Sequence, residues 1–198
     1  MRYSPDHKAQ SRERVLAAAA AQMRAHGVRG VSVGEVMAAA GLTHGAFYAH
    51  FRSKDALVAE AISAIFRDPA RRGTDLRHVL EQTDEDLPAA FRAYLANYLS
   101  ARHRDGPERG CPLPSLSAEV ARSESQARRN CVAGMEKMMA GIAAILARLG
   151  HDAADARARV AVAQMVGAIG LARMAGPGDL SDAIIRDCLA DLFEAFGL

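Results

Sequence analysis

Residues 32–54, SVGEVMAAAGLTHGAFYAHFRSK, constrain the fold more than any other stretch of the chain. Ser32 and Glu35 have the spacing of a capping box, in which each side chain bonds the backbone N–H of the other residue at the start of a helix. Apolar residues then recur at helical spacing, at Val33, Val36, Met37 and Ala40. Gly41 follows where a left-handed residue commonly ends a helix. The stretch therefore begins with a short amphipathic helix and a turn.

A second short helix is predicted after this turn, with Thr43 as its N-terminal cap. Phe47 and Phe51 are four residues apart, so both point to the same side of a helix and face the core. The opposite face carries small residues with polar side chains at its edges, namely Gly45, Ala46 and Ala49, flanked by His44, Tyr48 and His50. Such a slim face suits the major groove of DNA, because small residues let the backbone approach the bases while polar flanks reach base edges and phosphates.

A third helix is predicted to start after Ser53, its cap, with Lys54 in its first turn. The helix macrodipole favours acidic residues at that position, so a lysine there indicates an anionic partner. Each feature alone has a simpler explanation. Tyr48 could be a half-buried core residue, His50 could cap the end of its helix, and Lys54 could be a solvated lysine. A capping box with two phenylalanines also fits ordinary helical packing. Only the combination of all these features favours a DNA-binding segment.

The run GLTHGAFYAHFRSKDAL resembles the helix-turn-helix of the TetR family of one-component repressors, which has a small-residue turn, a Tyr-x-His-Phe core and a following Lys. The resemblance covers about the first third of the chain. It implies an all-α fold, with a three-helix helix-turn-helix DNA-binding domain over residues 1–53 and a larger helical ligand-binding and dimerisation domain over residues 54–198. The DNA contacts that it implies are Ser32, Thr43, His44, Gly45, Tyr48, His50 and Lys54.

The same resemblance implies a function. A TetR-family repressor is a homodimer that binds a palindromic operator in double-stranded DNA and releases it when a small-molecule effector enters the C-terminal domain. The small side chains of Ala46 and Ala49 leave little for direct base readout, so the preferred bases are not predicted.

Composition and charge agree with a helical DNA-binding protein. Half of the residues are apolar, tryptophan is absent and no β-branched alternation is sustained, which favours helices throughout. Residues 1–60 carry eight Lys or Arg against five Asp or Glu, a net charge of +3, whereas the remainder carry 17 against 18, a net charge of −1. The positive excess therefore lies with the helix-turn-helix. A first helix is predicted from Pro5 to about His26, after a Ser4 cap and an arm bearing Arg2, and Arg2 and Lys8 are either phosphate contacts or solvated basic residues.

Several other classes of protein are not expected. No apolar run approaches the length of a membrane span and no signal peptide opens the chain, so a cytoplasmic protein without a membrane partner is predicted. The three cysteines have no paired spacing, which argues against a disulfide scaffold. The histidines lack i, i+4 pairs, so no metal site is predicted. An enzyme using Cys111 with His103 or His151 is poorly supported, since no nucleophile elbow, carboxylate pair or phosphate loop is present, and no cofactor is predicted.

The middle of the chain carries the candidate effector pocket. Phe91, Tyr94, Leu95 and Tyr98 form an aromatic stripe that is either plain core or the wall of a cavity with polar hydroxyls. Cys111 follows Arg109 and Gly110, and nearby cations would favour its thiolate. It resembles the cysteine of family members that sense electrophiles or oxidants, although a buried inert thiol also fits. The candidate ligand-binding residues are Phe91, Tyr94, Tyr98, Cys111, Met135, Met139, Met165 and Ile169.

The last two helices, predicted over about 154–174 and 180–196, are apolar on more than one face. Helices of this kind must be covered on two sides, and a second copy can do so through a four-helix bundle. A homodimer through these helices is therefore predicted. Arg173, near the end of the first, is expected to bond carbonyl groups, or else a carboxylate of the ligand. The alternative function is an architectural DNA-binding protein that has no ligand response.

Overall fold

The computed structural model describes residues 5–67, 76–122 and 125–198, and every regular element within these ranges is helical. The all-α prediction is therefore confirmed. The helices are α1 Pro5–His26, α2 Val33–Ala39, a 3-10 helix His44–Ala49, α3 Lys54–Arg67, α4 Leu76–Leu80, α5 Leu87–Tyr98, α6 Ala101–Asp105, a 3-10 turn Pro107–Arg109, α7 Leu113–Val120, α8 Gln126–Arg148, α9 Ala154–Ala175 and α10 Asp179–Phe196. The predicted Ser4 cap and the arm with Arg2 lie outside the described residues.

The described residues form two compact units. The first contains residues 5–67 together with 111–122 and 125–133, and the second contains residues 76–110 and 134–198. Helices α1 to α3 therefore pack with α7 and the beginning of α8, which come much later in the sequence. A functional boundary between residues 53 and 54 stays a prediction.

The first unit has a core built from the positions that helical periodicity predicts. The inward side of α1 and the stripe of α3 are buried, at Val15, Leu16, Ala19, Met23, Leu57, Val58, Ala61, Ile62 and Ile65. α1 ends at Gly27, whose φ of +77° is the left-handed conformation expected of a terminating glycine. Leu116, Val120, Ala127 and Cys131 from α7 and α8 belong to the same apolar cluster.

The second unit is centred on the aromatic stripe of α5. Phe91, Tyr94, Leu95 and Tyr98 are all buried, and the Phe91 ring stacks on Phe196 of α10 with centroids 5.9 Å apart. α8 contributes Ile142, Ile145 and Leu146, which are also buried. Three methionines of α8 are only half-buried: Met135, Met138 and Met139. Their flexible side chains lie at the margin of the core, where the sequence pattern cannot separate full from partial burial.

Charged side chains tie α6 to α9 and α10 inside the second unit. The guanidinium of Arg104 donates to Ser181 Oγ at 2.8 Å and to Asp182 Oδ1 at 2.5 Å, while Asp105 takes its other edge. These hydrogen bonds, with Asp105 first and Asp182 second, raise the pKa of Arg104, which stays charged. Arg173 donates to the backbone carbonyls of His103 at 2.8 Å and Arg104 at 3.1 Å. The prediction that Arg173 bonds carbonyls is confirmed, but these belong to α6 rather than to its own helix.

Helices α9 and α10 pack against each other and leave apolar side chains uncovered on their other sides. The exposed apolar residues are Val160, Leu171, Met174 and Leu180, and Met174 is 80% exposed. A methyl group added at Gly167 or Gly170 of α9 would meet nothing within 4 Å. The prediction that these helices are apolar on more than one side is confirmed.

Two helices bear on the expectation that no apolar run approaches the length of a membrane span. α8 and α9 are both long and apolar enough to cross a bilayer. About a third of the apolar 18-residue segment of each helix is buried within the protein, 33% in α8 and 39% in α9. Core helices of soluble proteins are often equally long and apolar. Polar residues interrupt both helices, so neither contains an unbroken apolar run of that length.

Replacing Gly110 by Ala tests the packing that holds α6 in the second unit. A Cβ at Gly110 would lie 2.4 Å from Cδ2 and Nε2 of His103. The His103 ring cannot move aside easily, because its Nδ1 donates to the Tyr98 carbonyl at 2.7 Å and its edge packs on the Tyr98 ring. We expect the variant to lose about 1–3 kcal/mol of unfolding free energy in urea denaturation.

The matched control is Gly34→Ala, since a Cβ there makes only ordinary contacts at 3.8 Å and beyond. This control should stay within about 0.5 kcal/mol of the wild type. Equal stability of both variants would contradict the packing of His103 against Gly110.

Candidate nucleic-acid interface

α2 begins with only one of the two hydrogen bonds of the predicted capping box. Ser32 Oγ accepts the backbone N–H of Glu35 at 3.4 Å, as predicted. The Ser32 N–H, however, donates to Gln22 Oε1 of α1 at 3.3 Å, and Gln22 Nε2 donates to Glu35 Oε2 at 3.3 Å. Gln22 thus replaces the carboxylate in the second half of the box. The local spacing gave no sign of it, because Gln22 reaches α2 only through tertiary packing.

The segment after the turn is a 3-10 helix, His44–Ala49, rather than an α-helix. Gly41 has the predicted left-handed conformation, with φ of +71°. Thr43 is the N-terminal cap residue, as predicted, but its side chain makes no capping hydrogen bond. The tighter turn closes instead through backbone bonds, from the Ala46 N–H to the Thr43 carbonyl and from the His50 N–H to the Phe47 carbonyl.

Phe47 and Phe51 anchor this segment as predicted. They are 2% and 3% exposed, and their rings lie 5.9 Å apart in a stacked arrangement. Tyr48 packs edge-on against Phe47 at 5.2 Å, yet it is 73% exposed. The alternative that Tyr48 is a half-buried core residue is therefore wrong. The structure holds a large aromatic side chain with a hydroxyl group out in solvent.

The outer face of the 3-10 segment is slim, as the sequence indicates. Gly45 and Ala49 are exposed, Ala46 is half-buried, and a Cβ built at Gly45 would meet nothing within 4 Å. Of the seven predicted DNA contacts, four are exposed and three are half-buried: Thr43, His44, Gly45 and Tyr48 in the first group, and Ser32, His50 and Lys54 in the second. Lys54 begins α3, where Ser53 Oγ accepts the Ala56 N–H at 3.1 Å as its predicted cap.

A cleft of about 550 Å³ lies between the 3-10 segment and the first turns of α1. Its walls carry basic and small residues: His7, Lys8, Ser11, Gly41, Leu42, Thr43, Ala46, Ala49 and His50. The sequence reasoning named Lys8 as a candidate phosphate contact but missed His7 and Ser11. Nothing in the local pattern of α1 marks them, because only tertiary packing places this helix beside the turn.

His50 ends the 3-10 segment and lies close to cations of α1. The pKa of His50 is lowered, and burial is the largest cause. The nearby positive charges of Lys8 and Arg12 lower this pKa further. Its Nδ1 is buried and has no hydrogen-bond partner in the part of the chain that the structure describes. Arg12 is itself paired with Glu60 of α3 and packs over the Phe51 ring at 4.8 Å. His50 therefore combines the predicted cap position with a basic surrounding that suits an anion.

The eight candidate ligand-binding residues do not all fall in one unit. Phe91, Tyr94 and Tyr98 lie along one side of α5, with ring centroids 6.2 and 6.3 Å apart in sequence order. They share the second unit with Met135, Met139, Met165 and Ile169, whereas Cys111 belongs to the first. A pocket among the middle helices stays a prediction.

Cys111 is fully buried. The buried Cys131 lies in the same unit, and burial, with the nearby Cys111 second, raises the pKa of its thiol to about 11. Arg104, a cation close to Cys111 in sequence, is paired with Asp105 and Asp182 within the second unit. Burial favours the interpretation of Cys111 as an inert thiol. Over residues 5–67, 76–122 and 125–198 no group of three or more His, Cys, Asp or Glu is placed to hold a metal ion.

Two family models match the sequence. Residues 15–61 match bacterial regulatory proteins of the tetR family. Residues 88–180 match the C-terminal domain of LmrA/YxaF-like transcriptional regulators. A search of curated proteins found no match.

Several solved structures share this fold. Escherichia coli NemR in its reduced form is 23% identical, with 93% of this chain and 95% of that one covered and a TM-score of 0.77. A TetR transcriptional regulator from Legionella pneumophila is 16% identical, with 99% and 100% covered and a TM-score of 0.78. One from Chloroflexus aurantiacus is 23% identical, with 97% and 96% covered and a TM-score of 0.74. At these identities the structural likeness shows the fold alone.

The lowered pKa of His50 predicts a pH dependence of stability. The unfolded chain takes up a proton at the ordinary histidine pKa, about 6.5, whereas the folded protein does so only at lower pH. Stability is therefore lost as the pH falls from the ordinary value to the lowered one, and His50 contributes no further loss below that. We expect His50→Gln to lose less unfolding free energy than the wild type over this interval, as measured by urea denaturation.

His26→Gln removes an exposed histidine of α1 and controls for the loss of a histidine as such. The same pH dependence in the wild type and in His50→Gln would contradict the lowered pKa of His50, which burial causes first and the charges of Lys8 and Arg12 second.

Proposed function

Because the chain belongs to the TetR family of bacterial transcriptional regulators, we propose that it is a repressor that binds a palindromic operator as a homodimer and is released by a small-molecule or reactive effector. The family consists of DNA-binding transcription regulators rather than enzymes. The observation that carries the proposal is the slim, exposed face of His44–Ala49, which two buried phenylalanines hold outward. Its place of action is the cytoplasm, where the operator is accessible.

The proposed DNA contacts divide into two kinds. Tyr48, His44 and Thr43 project from the 3-10 segment and are available to base edges and phosphates in the major groove. Lys54 at the start of α3, together with Lys8 and His7 at the cleft, offers positive charge to the phosphate backbone. Phosphate contacts release counterions, so operator affinity should fall steeply as salt is added.

The exposed apolar residues of α9 and α10 support dimerisation through these helices. Val160, Leu171 and Met174 form an uncovered side of α9, where two glycines leave room for a close approach by a second helix. A dimer would hold two 3-10 segments at a fixed separation, which for successive major grooves is about 34–36 Å. An effector that binds more tightly to a dimer with a different separation lowers the affinity for DNA. The size of this effect is set by the difference between its affinities for the DNA-binding arrangement and the other arrangement.

The effector site that we propose lies among the middle helices of the second unit. The apolar stripe of Phe91, Tyr94 and Tyr98 offers aromatic walls with two hydroxyl groups, and the half-buried Met135 and Met139 of α8 offer adaptable apolar surface. Met165 and Ile169 of α9 complete the proposed lining. The burial of Cys111 favours release by non-covalent binding over release by thiol chemistry.

Replacing Tyr48 by Ala should weaken operator binding by about 1–3 kcal/mol, the range of one recognition contact, which is about five- to 150-fold in affinity. The ring is largely exposed, so folding and dimerisation should be unchanged. The measurement is a fluorescence anisotropy titration with an operator that the wild-type protein selects from random DNA. Tyr48→Phe is the matched control that keeps the ring and removes the hydroxyl. Wild-type affinity in Tyr48→Ala would exclude Tyr48 as a contact.

Replacing Leu171 by Arg tests the dimer. A charge on the uncovered side of α9 should prevent association, and loss of the second half-site contact should lower affinity for the full palindrome at least about a hundredfold. Light scattering after size exclusion gives the oligomeric state. The control is Val132→Arg, which places the same charge at an exposed apolar residue outside α9 and α10. This variant should remain dimeric. A monomeric wild type, or a dimeric Leu171→Arg, would refute this interface.

A further inference from the structure

The cleft beside the 3-10 segment has polar groups of α1 along one wall. Ser11 is 2% exposed, and its Oγ accepts a hydrogen bond from Arg14 Nη2 at 3.2 Å, so the hydroxyl hydrogen remains available to a ligand. Arg14 also lies beside Gly41 of the cleft, because a Cβ built there would be 3.8 Å from Arg14 Nη1. Lys8 lines the cleft one turn before Ser11. Over the described residues, neither Lys8 nor Arg14 forms an ion pair, so both charges are available to an anion.

His50 forms the opposite wall, at the end of the 3-10 segment. Its Nδ1 is buried and lacks a hydrogen-bond partner within residues 5–67, 76–122 and 125–198, so no bond at this nitrogen fixes the ring. A buried polar atom without a partner is destabilising, and an anion beside the ring would supply one. The cleft thus combines an unsatisfied imidazole with the cations of the facing helix.

The protein surroundings of His50 favour its neutral form. Burial lowers the pKa of the imidazole most, and the charges of Lys8 and Arg12 lower it further. The carboxylate of Glu60 is paired with Arg12, so it does not offset the other cations. Each phosphate of DNA carries one negative charge, which favours the imidazolium when it lies close to the ring. The charged and titratable groups around His50 are His7, Lys8, Arg12 and Arg14 of α1, Glu60 of α3, and Tyr48 and Arg52 next to it in the chain.

We propose that a phosphate of the DNA backbone enters this cleft and that His50 takes up a proton from solvent as the phosphate binds. The inference rests on the proposed function, since the phosphate belongs to the operator. Lys8, the Ser11 hydroxyl and the imidazolium then donate to the phosphate oxygens, and such charge-assisted hydrogen bonds are stronger than neutral ones. DNA binding is thereby linked to pH at the DNA-binding face itself, with no effector needed in the second unit.

The linkage tightens DNA binding as the pH falls. In the free protein His50 is neutral above its lowered pKa, and in the complex the phosphate holds that pKa higher. Between these two values each protomer takes up as much as one proton on binding, which changes the half-site affinity by up to about tenfold per pH unit. Above the higher value and below the lower one, His50 contributes no pH dependence.

The measurement is a fluorescence anisotropy titration with the operator that the wild-type protein selects from random DNA. It is made at constant ionic strength in phosphate-free buffers from about pH 6 to about pH 8, a range that includes the ordinary histidine pKa. The wild type should bind at least about fivefold more tightly at the lower end. His50→Gln keeps a side chain that forms hydrogen bonds but takes up no proton, so it should lose most of this pH dependence. The matched control is His26→Gln, which removes an exposed histidine outside the cleft and should behave as the wild type.

Two outcomes of this titration contradict the proposal. Equal pH dependence in the wild type and in His50→Gln shows that another group takes up the proton. Loss of the pH dependence in His7→Gln instead assigns the proton to the other histidine of the cleft. If His50→Gln does not bind DNA, the ring NMR resonances of His50 in the wild type decide the question. At about pH 7 they should be those of neutral imidazole in the free protein and of imidazolium in the complex, and a neutral ring in both overturns the proposal.

Lys8→Gln tests the position of the phosphate. Loss of one phosphate contact should reduce the slope of log affinity against log salt concentration by about one per protomer. Lys137→Gln, at an exposed lysine of α8, should leave the slope unchanged. An unchanged slope in Lys8→Gln places the phosphate elsewhere and overturns the cleft as its site.

Other results separate this inference from the proposed function. A wild type that selects an operator and binds it equally well over the whole pH range overturns proton uptake at His50 and leaves the repressor function intact. A wild type that selects no DNA overturns both proposals.

Discussion

The candidate DNA-binding face depends on the burial of two aromatic rings. A 3-10 segment of six residues has poor hydrogen-bond geometry and no stability of its own. Phe47 and Phe51 bury it in the apolar cluster to which α1, α2 and α3 contribute, and burying each ring contributes about 1.5–3 kcal/mol relative to leaving it in water. With those rings inward, the backbone at Gly45 and the side chain of Tyr48 must point outward. The same residues that complete the core thus determine what is presented to a partner.

Electrostatics at this face are less simple than the excess of basic residues suggests. Arg12 is neutralised by Glu60, and its guanidinium packs over Phe51, so it supports the core more than it adds to the surface potential. Lys8 lines the cleft beside His50, whose pKa is lowered first by burial and then further by the charge of Lys8. An approaching phosphate would reverse that effect, because a negative charge favours the imidazolium. The cleft is therefore best suited to a partner that brings negative charge with it.

Features with a local cause were predictable from the sequence, and features made by tertiary contacts were not. Helical spacing identified the apolar residues of α2 and α5, most of which are buried, and Gly41 marked a helix end because a left-handed backbone suits glycine. Gln22 accepts the Ser32 N–H from 10 residues away in sequence, and Glu119 accepts the Val28 N–H from 91 residues away. No rule of local spacing predicts either contact. The effector pocket is the least predictable part. An aromatic stripe on one helix has the same sequence pattern whether it faces a packed core or a cavity.

The sharing of residues 111–133 with the N-terminal helices has a consequence for synthesis. A ribosome that has made only the first 67 residues has produced α1 to α3 but none of Leu116, Val120, Ala127 or Cys131, which close the same apolar cluster. The nascent N-terminal part therefore exposes apolar surface until roughly twice that length has been translated. Its folding is delayed relative to a domain that is contiguous in sequence, and chaperones have a longer interval in which to bind it.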